Sequence, residues 1–393
     1  MKKIYVYMFV DALGWEIVSK YNFLKDTLVY RKKVEMQFGY SSAAVPTILS
    51  GKHPQEHKHF SFFYYNPNKS PFENFKYLKF FFGAGLHPKC LFNRGRVRRI
   101  ISRLTAKMLG YTGYFSLYSV PFNKLPLFDY CEKTDIFASG GLSPVENLYD
   151  ILEASGLKFH ISDWRKSEDE NIALAKQAIA DDADFVFVYT GAFDAFMHDN
   201  VFDSSAIENK LSAYEQKVYS ILQTLSNTGK DFNFTIISDH GMTPTSEVCD
   251  LMRIVKSLDL KFGKDYVAFF DSTMARFWYP TNSQEVKAKI QKALSTCKGH
   301  FLSKVEKENY GIDFEDNLYG EDIFITDEGV QISPCDLGSK ALNGMHGYMP
   351  TAKDSYACML SNAEPKFEPK HVKDFFALMK SNIEELKNGT LVK

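Results

Sequence analysis

The 393-residue chain lacks the marks of several protein classes. No stretch approaches the ~18 consecutive apolar residues that cross a bilayer. The apolar N-terminal run stops at Asp11, with no small-residue cleavage site nearby, so the chain reads as soluble and cytoplasmic. Its six cysteines, at 90, 131, 249, 297, 335 and 358, form no Cys-x-x-Cys or zinc-ribbon spacing and read as reduced, buried thiols. There is no internal repeat and no low-complexity linker. A net charge of −1 gives the whole chain no nucleic-acid signature. Apolar residues at 45% and charged residues at 24% exclude a disordered, collagen-like or disulfide-scaffold chain.

Aromatic residues and locally clustered charge are plentiful. There are 34 Phe and 22 Tyr. From Lys69 to Lys107 ten Lys/Arg face one acid, Glu73, so this window carries +9 and the other residues sum to −10. Such an imbalance suits an anionic partner or surface.

The hydrophobic pattern predicts buried strands at Ile4–Val10, Lys158–Ile161, Asp184–Tyr189 and Phe232–Ile237. It predicts helices at Val45–Ser50 (closed by Gly51), Asn171–Ala180, Ser205–Ser226 and Pro369–Asn388, and one after a Ser143/Glu146 capping box. Alternating buried strands and helices imply an α/β fold, a mostly parallel central sheet with helices on both faces. The expected organisation is a core of residues 1–62 and 136–393. An aromatic, basic cap is inserted at 63–135, and a small α+β subdomain lies within the core at 247–337, opening with a helix Ser246–Leu258.

Functional groups in such sheets gather at the carboxyl ends of strands. Asp11, Asp194-Ala-Phe-Met-His198 and Ser238-Asp239-His240-Gly241 all follow predicted strands, and Gly344-Met345-His346-Gly347 adds a late histidine. Mixed carboxylate and imidazole donors without thiolate suit Zn²⁺, Mn²⁺ or Fe. Three carboxylates and three imidazoles are too many for one tetrahedral zinc and suit two metals. The segment Gly39–Gly51 supplies hydroxyls for a nucleophile. One at a helix N-terminus sits in a field that favours the alkoxide. The plain alternative is that Ser41 is only an N-cap.

Together these residues resemble the alkaline phosphatase superfamily, most closely its type I phosphodiesterase/nucleotide pyrophosphatase branch. That branch has a strand-end Asp and a Thr or Ser nucleophile ten residues before the Gly of Thr-Gly-x-x-Pro-x-x-His-Gly. Asp-x-x-x-His, Asp-His-Gly-Met and a late His-Gly-Tyr follow. Here Gly51 precedes Pro54 and His57, and counting back ten residues reaches Ser41. The resemblance implies one metal on Asp194, His198 and His346. It implies a second on Asp11, Asp239 and His240, with Ser41 as a further ligand. Two divalent metals, Zn²⁺ before Mn²⁺, are implied, as is hydrolysis through a phospho-seryl intermediate.

The implied activity is that of a phosphodiesterase or pyrophosphatase on a small phosphorylated substrate: a nucleotide, a sugar phosphate or a lipid-linked phosphate. The alternative on the same site is a phosphomonoesterase or phosphonate hydrolase. A sulfatase would need a Cys or Ser followed by x-Pro-x-Arg, which Ser41–Val45 lacks. A non-catalytic binding protein would be expected to lack a ligand. The sequence departs from the family in using Ser for Thr and in Lys58, which stands where the family has Gly. It also has Phe62 where the family's phosphoryl-binding Asn would fall, leaving Asn66 or Asn68 to substitute.

Within the insertion, Arg94–Gly110 projects as a helix. Val97, Ile100, Ile101, Leu104 and Met108 form one stripe, with Arg96, Arg99, Arg103 and Lys107 opposite. Two readings follow. Either the apolar stripe buries on the core and the charges are solvated, or residues 94–110 touch an anionic membrane surface. Nucleic acid is not an expected partner, since the rest of the chain is acidic.

Overall fold

A computed structural model describes residues 3–77 and 95–391, so Cys90 and Arg94 lie outside the described residues. The chain's contacts divide it into two units. The first holds 1–57, 136–244 and 350–393; the second holds 58–135 and 245–349.

The first unit is built on six strands: β1 (Lys3–Val10), β2 (Tyr30–Val34), β3 (Phe159–Ile161), β4 (Phe185–Thr190), β5 (Asp231–Ile237) and β6 (Ala357–Ser361). Their order is β2-β6-β5-β1-β4-β3. The run β5-β1-β4-β3 is parallel, and β6 pairs antiparallel with both β5 and β2. The mostly parallel α/β sheet is therefore the observed fold. Period-two alternation divides β1 between two apolar layers. Ile4, Val6, Met8 and Val10 join Ile172, Ile207, Leu211 and Val218 on one face, while Tyr5, Tyr7 and Phe9 join Ile48, Phe375 and Met379 on the other. Each face is covered by helices, among them Glu168–Ala180 and Ser204–Asn227 on the first and Ser41–Ser50 and Asp374–Leu391 on the second.

Three sequence expectations need correcting. The helix expected from Ser143 begins at Leu148. Asn147 is its N-cap, in a reciprocal box with Asp150, and its amide also donates to the carbonyls of Ile136 and Ala138. Asn147 satisfies more backbone groups than Ser143 could, which decides the start. The expected helix Ser246–Leu258 is interrupted. Glu247–Cys249 pairs as a strand with Val330–Ile332, and only Leu251–Lys256 is helical, capped by Asp250. A tertiary partner overrides local propensity there. Cys335 and Cys358 are buried free thiols, but Cys131, Cys249 and Cys297 are only partly buried.

The second unit has an antiparallel four-stranded sheet, ordered Val267–Phe270, Met274–Trp278, Asp322–Thr326, Gly299–Phe301. One face packs on Leu251, Val255, Ile290 and Leu294. The other presents Val267, Phe269 and Trp278 to Phe63, Phe72, Phe122, Phe128 and Tyr130, so part of the aromatic excess forms this core. Arg276, fully buried, ties the two parts together. Its guanidinium pairs with Asp271 at 2.8 Å and donates to the Phe63 carbonyl at 2.8 Å and to Ser61 Oγ at 2.9 Å.

Glu132 is buried in the same unit. Burial, with the negative charge of Asp135, pushes its carboxyl from 4.5 up to about 8. Between these values the folded chain holds a proton that the unfolded chain has released, so stability falls as pH rises. Denaturant unfolding should show stability falling from about pH 5 to pH 8, by about 1.4 kcal/mol per unit at most. Glu132→Gln should flatten that slope; an unchanged slope would refute the assignment.

Candidate active site

The site is assembled first by strand register. Val10 pairs with Thr190 and Phe9 with Ile237, so β1, β4 and β5 end at one edge of the sheet. Asp11 follows β1, and Asp239 and His240 follow β5. The Asp11 N–H donates to the Thr190 carbonyl at 3.0 Å, fixing the turn. Asp194 and His198 sit on the helix Ala192–Asn200 that follows β4, where i,i+4 spacing puts both on one face, with Nε2 of His198 3.4 Å from Oδ2 of Asp194.

Two turns meet backbone to backbone here. A Cβ on Gly14 would lie 2.4 Å from Gly241 Cα, and a Cβ on Gly241 would lie 2.2 Å from the Asp354 carbonyl oxygen. Only glycine permits this approach, which brings the Asp11 turn against the Asp239-His240 turn. The Ala12 N–H then donates to Oδ1 of Asp239 at 3.1 Å.

His240 is fully buried. Its Nδ1 lies 2.9 Å from the Gly241 carbonyl. A carbonyl only accepts, so Nδ1 carries a proton, and in the neutral ring Nε2 offers a lone pair. Around Nε2 stand Ser41 Oγ at 3.0 Å, Asp239 Oδ2 at 3.1 Å and Asp11 Oδ1 at 3.7 Å. Asp11 Oδ1 and Asp239 Oδ2 are buried without a hydrogen-bond partner. Burial first, then the charges of Asp239 and Asp194, push the Asp11 carboxyl well above the usual range; burial also raises Asp239. One donor atom each from Asp11, Asp239 and His240 lies within 4.8 Å of the others. Orphaned carboxylate oxygens around an imidazole lone pair fit a divalent cation, whose charge reverses this pKa logic.

Ser41 is the first residue of the helix Ser41–Ser50, whose N-cap is Tyr40. Ser41 is thus not an N-cap, and its hydroxyl meets His240 instead. It is also the only residue of that helix that is not buried. Gly51 closes the helix in the left-handed conformation, as expected. The role of His57 could not be read from the sequence. It is fully buried, with Nε2 3.0 Å from Thr47 Oγ1, while that hydroxyl donates to the Ala43 carbonyl at 2.9 Å. His57 therefore buttresses the Ser41 helix. Lys58, where the family has Gly, sits at φ 65° in the left-handed region.

The remaining sequence candidates belong to the second unit. His346 is buried in the segment after the short strand Gly344–Met345, next to Gly347, whose carbonyl accepts from Thr273 Oγ1 at 2.8 Å. Phe62 stacks on Tyr130 and Tyr118, with centroids 5.6 Å away in each case. Asn66 donates its amide to Asp129 at 3.3 Å, and Asn68 is exposed.

The family model described as "Type I phosphodiesterase / nucleotide pyrophosphatase" matches residues 24–349. The chain belongs to this family. It is accordingly a metal-dependent phosphoric ester hydrolase, of a family that uses two divalent metals. No curated protein sequence matches it significantly. Among solved structures it is similar to murine ectonucleotide pyrophosphatase/phosphodiesterase 5, at TM-score 0.66 and 16% identity, covering 97% of this chain and 95% of that one. The human counterpart matches at TM-score 0.66 and 14% identity, with coverage of 97% and 95%. An inactive form of the murine protein in complex with AMP matches at TM-score 0.65 and 16% identity, with coverage of 98% and 95%. At these identities the structures establish the fold, that of alkaline phosphatase-like enzymes.

Gly241→Ala should separate the two turns. We expect a stability loss of about 1–3 kcal/mol in denaturant unfolding, together with loss of bound metal by elemental analysis; full metal retention would refute the spacing argument. Lys58→Gly removes a left-handed side chain and should raise stability by about 1 kcal/mol; a decrease would show that the Lys58 side chain contributes more than its backbone costs.

Proposed function

We propose that the protein hydrolyses phosphodiester or pyrophosphate bonds of a small phosphorylated substrate, through a covalent intermediate on Ser41. The observation that carries the reading is the Ser41 hydroxyl, solvent-reached at a helix N-terminus and 3.0 Å from an imidazole flanked by two buried carboxylates. In this reading Asp11, Asp239 and His240 hold one metal, with Ser41 as a further ligand, and Asp194, His198 and His346 hold the other. Zn²⁺ suits the nitrogen and oxygen donors, with Mn²⁺ as the alternative. The metals, when bound, would neutralise phosphoryl charge and lower the pKa of the attacking hydroxyl.

The residues supply the rest. Ser41 Oγ attacks phosphorus, the bond to the leaving oxygen breaks, and a phospho-seryl ester forms. Water then attacks that ester, releasing the phosphate product and restoring the hydroxyl. The helix N-terminus favours negative charge on Oγ throughout. His57, through Thr47, keeps the helix from tilting as the charge develops. A nucleotide is the favoured substrate class; sugar phosphates and lipid-linked phosphates share the same phosphoryl chemistry. Phe62, Asn66 and Asn68 are assigned to substrate contact. Preference for a monoester would favour the second reading, a phosphomonoesterase or phosphonate hydrolase in which Phe62 replaces a phosphoryl-binding amide.

Purified protein should cleave a p-nitrophenyl phosphate diester faster than the monoester. Chelation should abolish turnover and zinc readdition restore it, with about two metals bound per chain. Ser41→Ala should lower kcat by about a thousandfold or more while retaining metal. Turnover that survives Ser41→Ala, or a protein that binds no metal, would overturn the proposal.

A further inference from the structure

The helix Gly95–Leu109 docks in the opposite sense to the one its apolar stripe suggests. Its buried positions are Arg98, Ser102 and Thr105. The Arg98 guanidinium donates to the Val120 carbonyl at 2.8 Å and lies 4.2 Å from the centroid of the Phe122 ring. Ser102 Oγ donates to the Arg98 carbonyl and accepts the Leu117 N–H at 3.0 Å. Ile101 and Leu109 pack partly on the aromatic core. By contrast, Ile100 is 57%, Leu104 57% and Met108 86% exposed. Arg96, Arg99, Arg103 and Lys107 are exposed as well. At 3.6 residues per turn, Arg99, Arg103, Arg96 and Lys107 fill one arc of the exposed half, and Ile100, Leu104 and Met108 fill the adjacent arc.

An arginine-anchored polar face thus fixes the helix to the unit and leaves an apolar row beside a basic row on the outside. We propose that this face is a docking surface for an anionic lipid bilayer, with the apolar row entering the headgroup boundary and the basic row meeting lipid phosphates. The charge argues for this occupant over a second copy of the chain. No acid occurs between Glu73 and Asp129, so two such faces would repel. It argues against nucleic acid too, because Ile100, Leu104 and Met108 offer nothing to phosphates, whereas a lipid interface uses both rows. The inference needs no turnover and stands independently of the catalytic reading.

The test is co-sedimentation of the full chain with vesicles of phosphatidylcholine alone, or of phosphatidylcholine with about one-third phosphatidylglycerol. Binding is expected only to the anionic vesicles and should weaken with added salt. The triple variant Arg96→Ala/Arg99→Ala/Arg103→Ala should lower partitioning by about a hundredfold. Ile100→Ser/Leu104→Ser/Met108→Ser should lower it by at least about tenfold. Both leave Arg98 and Ser102 in place and alter exposed positions, so the unfolding midpoint serves as the fold check. If a variant fails that check, the lipid-composition and salt arms on the wild type decide. Failure of the wild type to bind anionic vesicles would overturn the proposal. So would binding unaffected by the serine variant, or equal binding to duplex DNA that the serine variant retains, since either marks a general polyanion site.

Discussion

The first unit depends on one electrostatic constraint. Strand register and a glycine-to-glycine contact bring Asp11 and Asp239 together in a buried place, with the charge of Asp194 also acting on Asp11. Folding alone gains nothing from this, because buried like charges repel and lose hydration. The arrangement becomes favourable when a cation enters. The polar wiring fits that reading. The Ala12 N–H holds one oxygen of Asp239, the Gly241 carbonyl fixes the His240 tautomer, and the oxygens left without partners surround the imidazole lone pair.

The Ser41 helix answers to the same place. Its interior is wholly buried, its C-terminus is closed at Gly51, and His57 braces it through Thr47. Helix position is therefore set by the core, and only the first hydroxyl is left to meet His240. The residues around the site are thus of two kinds: those that face the chemistry, and those, such as Gly14, Gly241 and His57, that set distances between the first kind.

The second unit solves a different problem. Much of the chain's aromatic content in residues 58–135 packs against one face of the antiparallel sheet, and a buried Arg276–Asp271 pair locks the segment through Ser61 and Phe63. Breaking one partner of such a pair costs several kcal/mol, because the other is left charged in the interior. The 95–109 helix is attached to this unit by Arg98, a residue type that usually faces water.

The sequence determined what period and order can determine. Buried strands flanking β1 were legible because they alternate with helices, and the carboxylates after them because strand ends in parallel sheets converge. The antiparallel-paired strands β2 and β6 were not legible. Tyr30–Val34 is mostly charged, and it is a strand because β6 hydrogen-bonds to it. Asp194 and His198 were legible as a spacing, but not as a helix face. Only the tertiary structure decided the close contact of the two glycine turns, the Asn147 cap, and which side of the 95–109 helix is buried. Each depends on a partner outside its own turn or helix: Gly241 for Gly14, the Ile136 and Ala138 carbonyls for Asn147, and the Val120 carbonyl for Arg98. An amphipathic pattern records that a helix has two faces; the hydrogen bonds available in three dimensions choose between them.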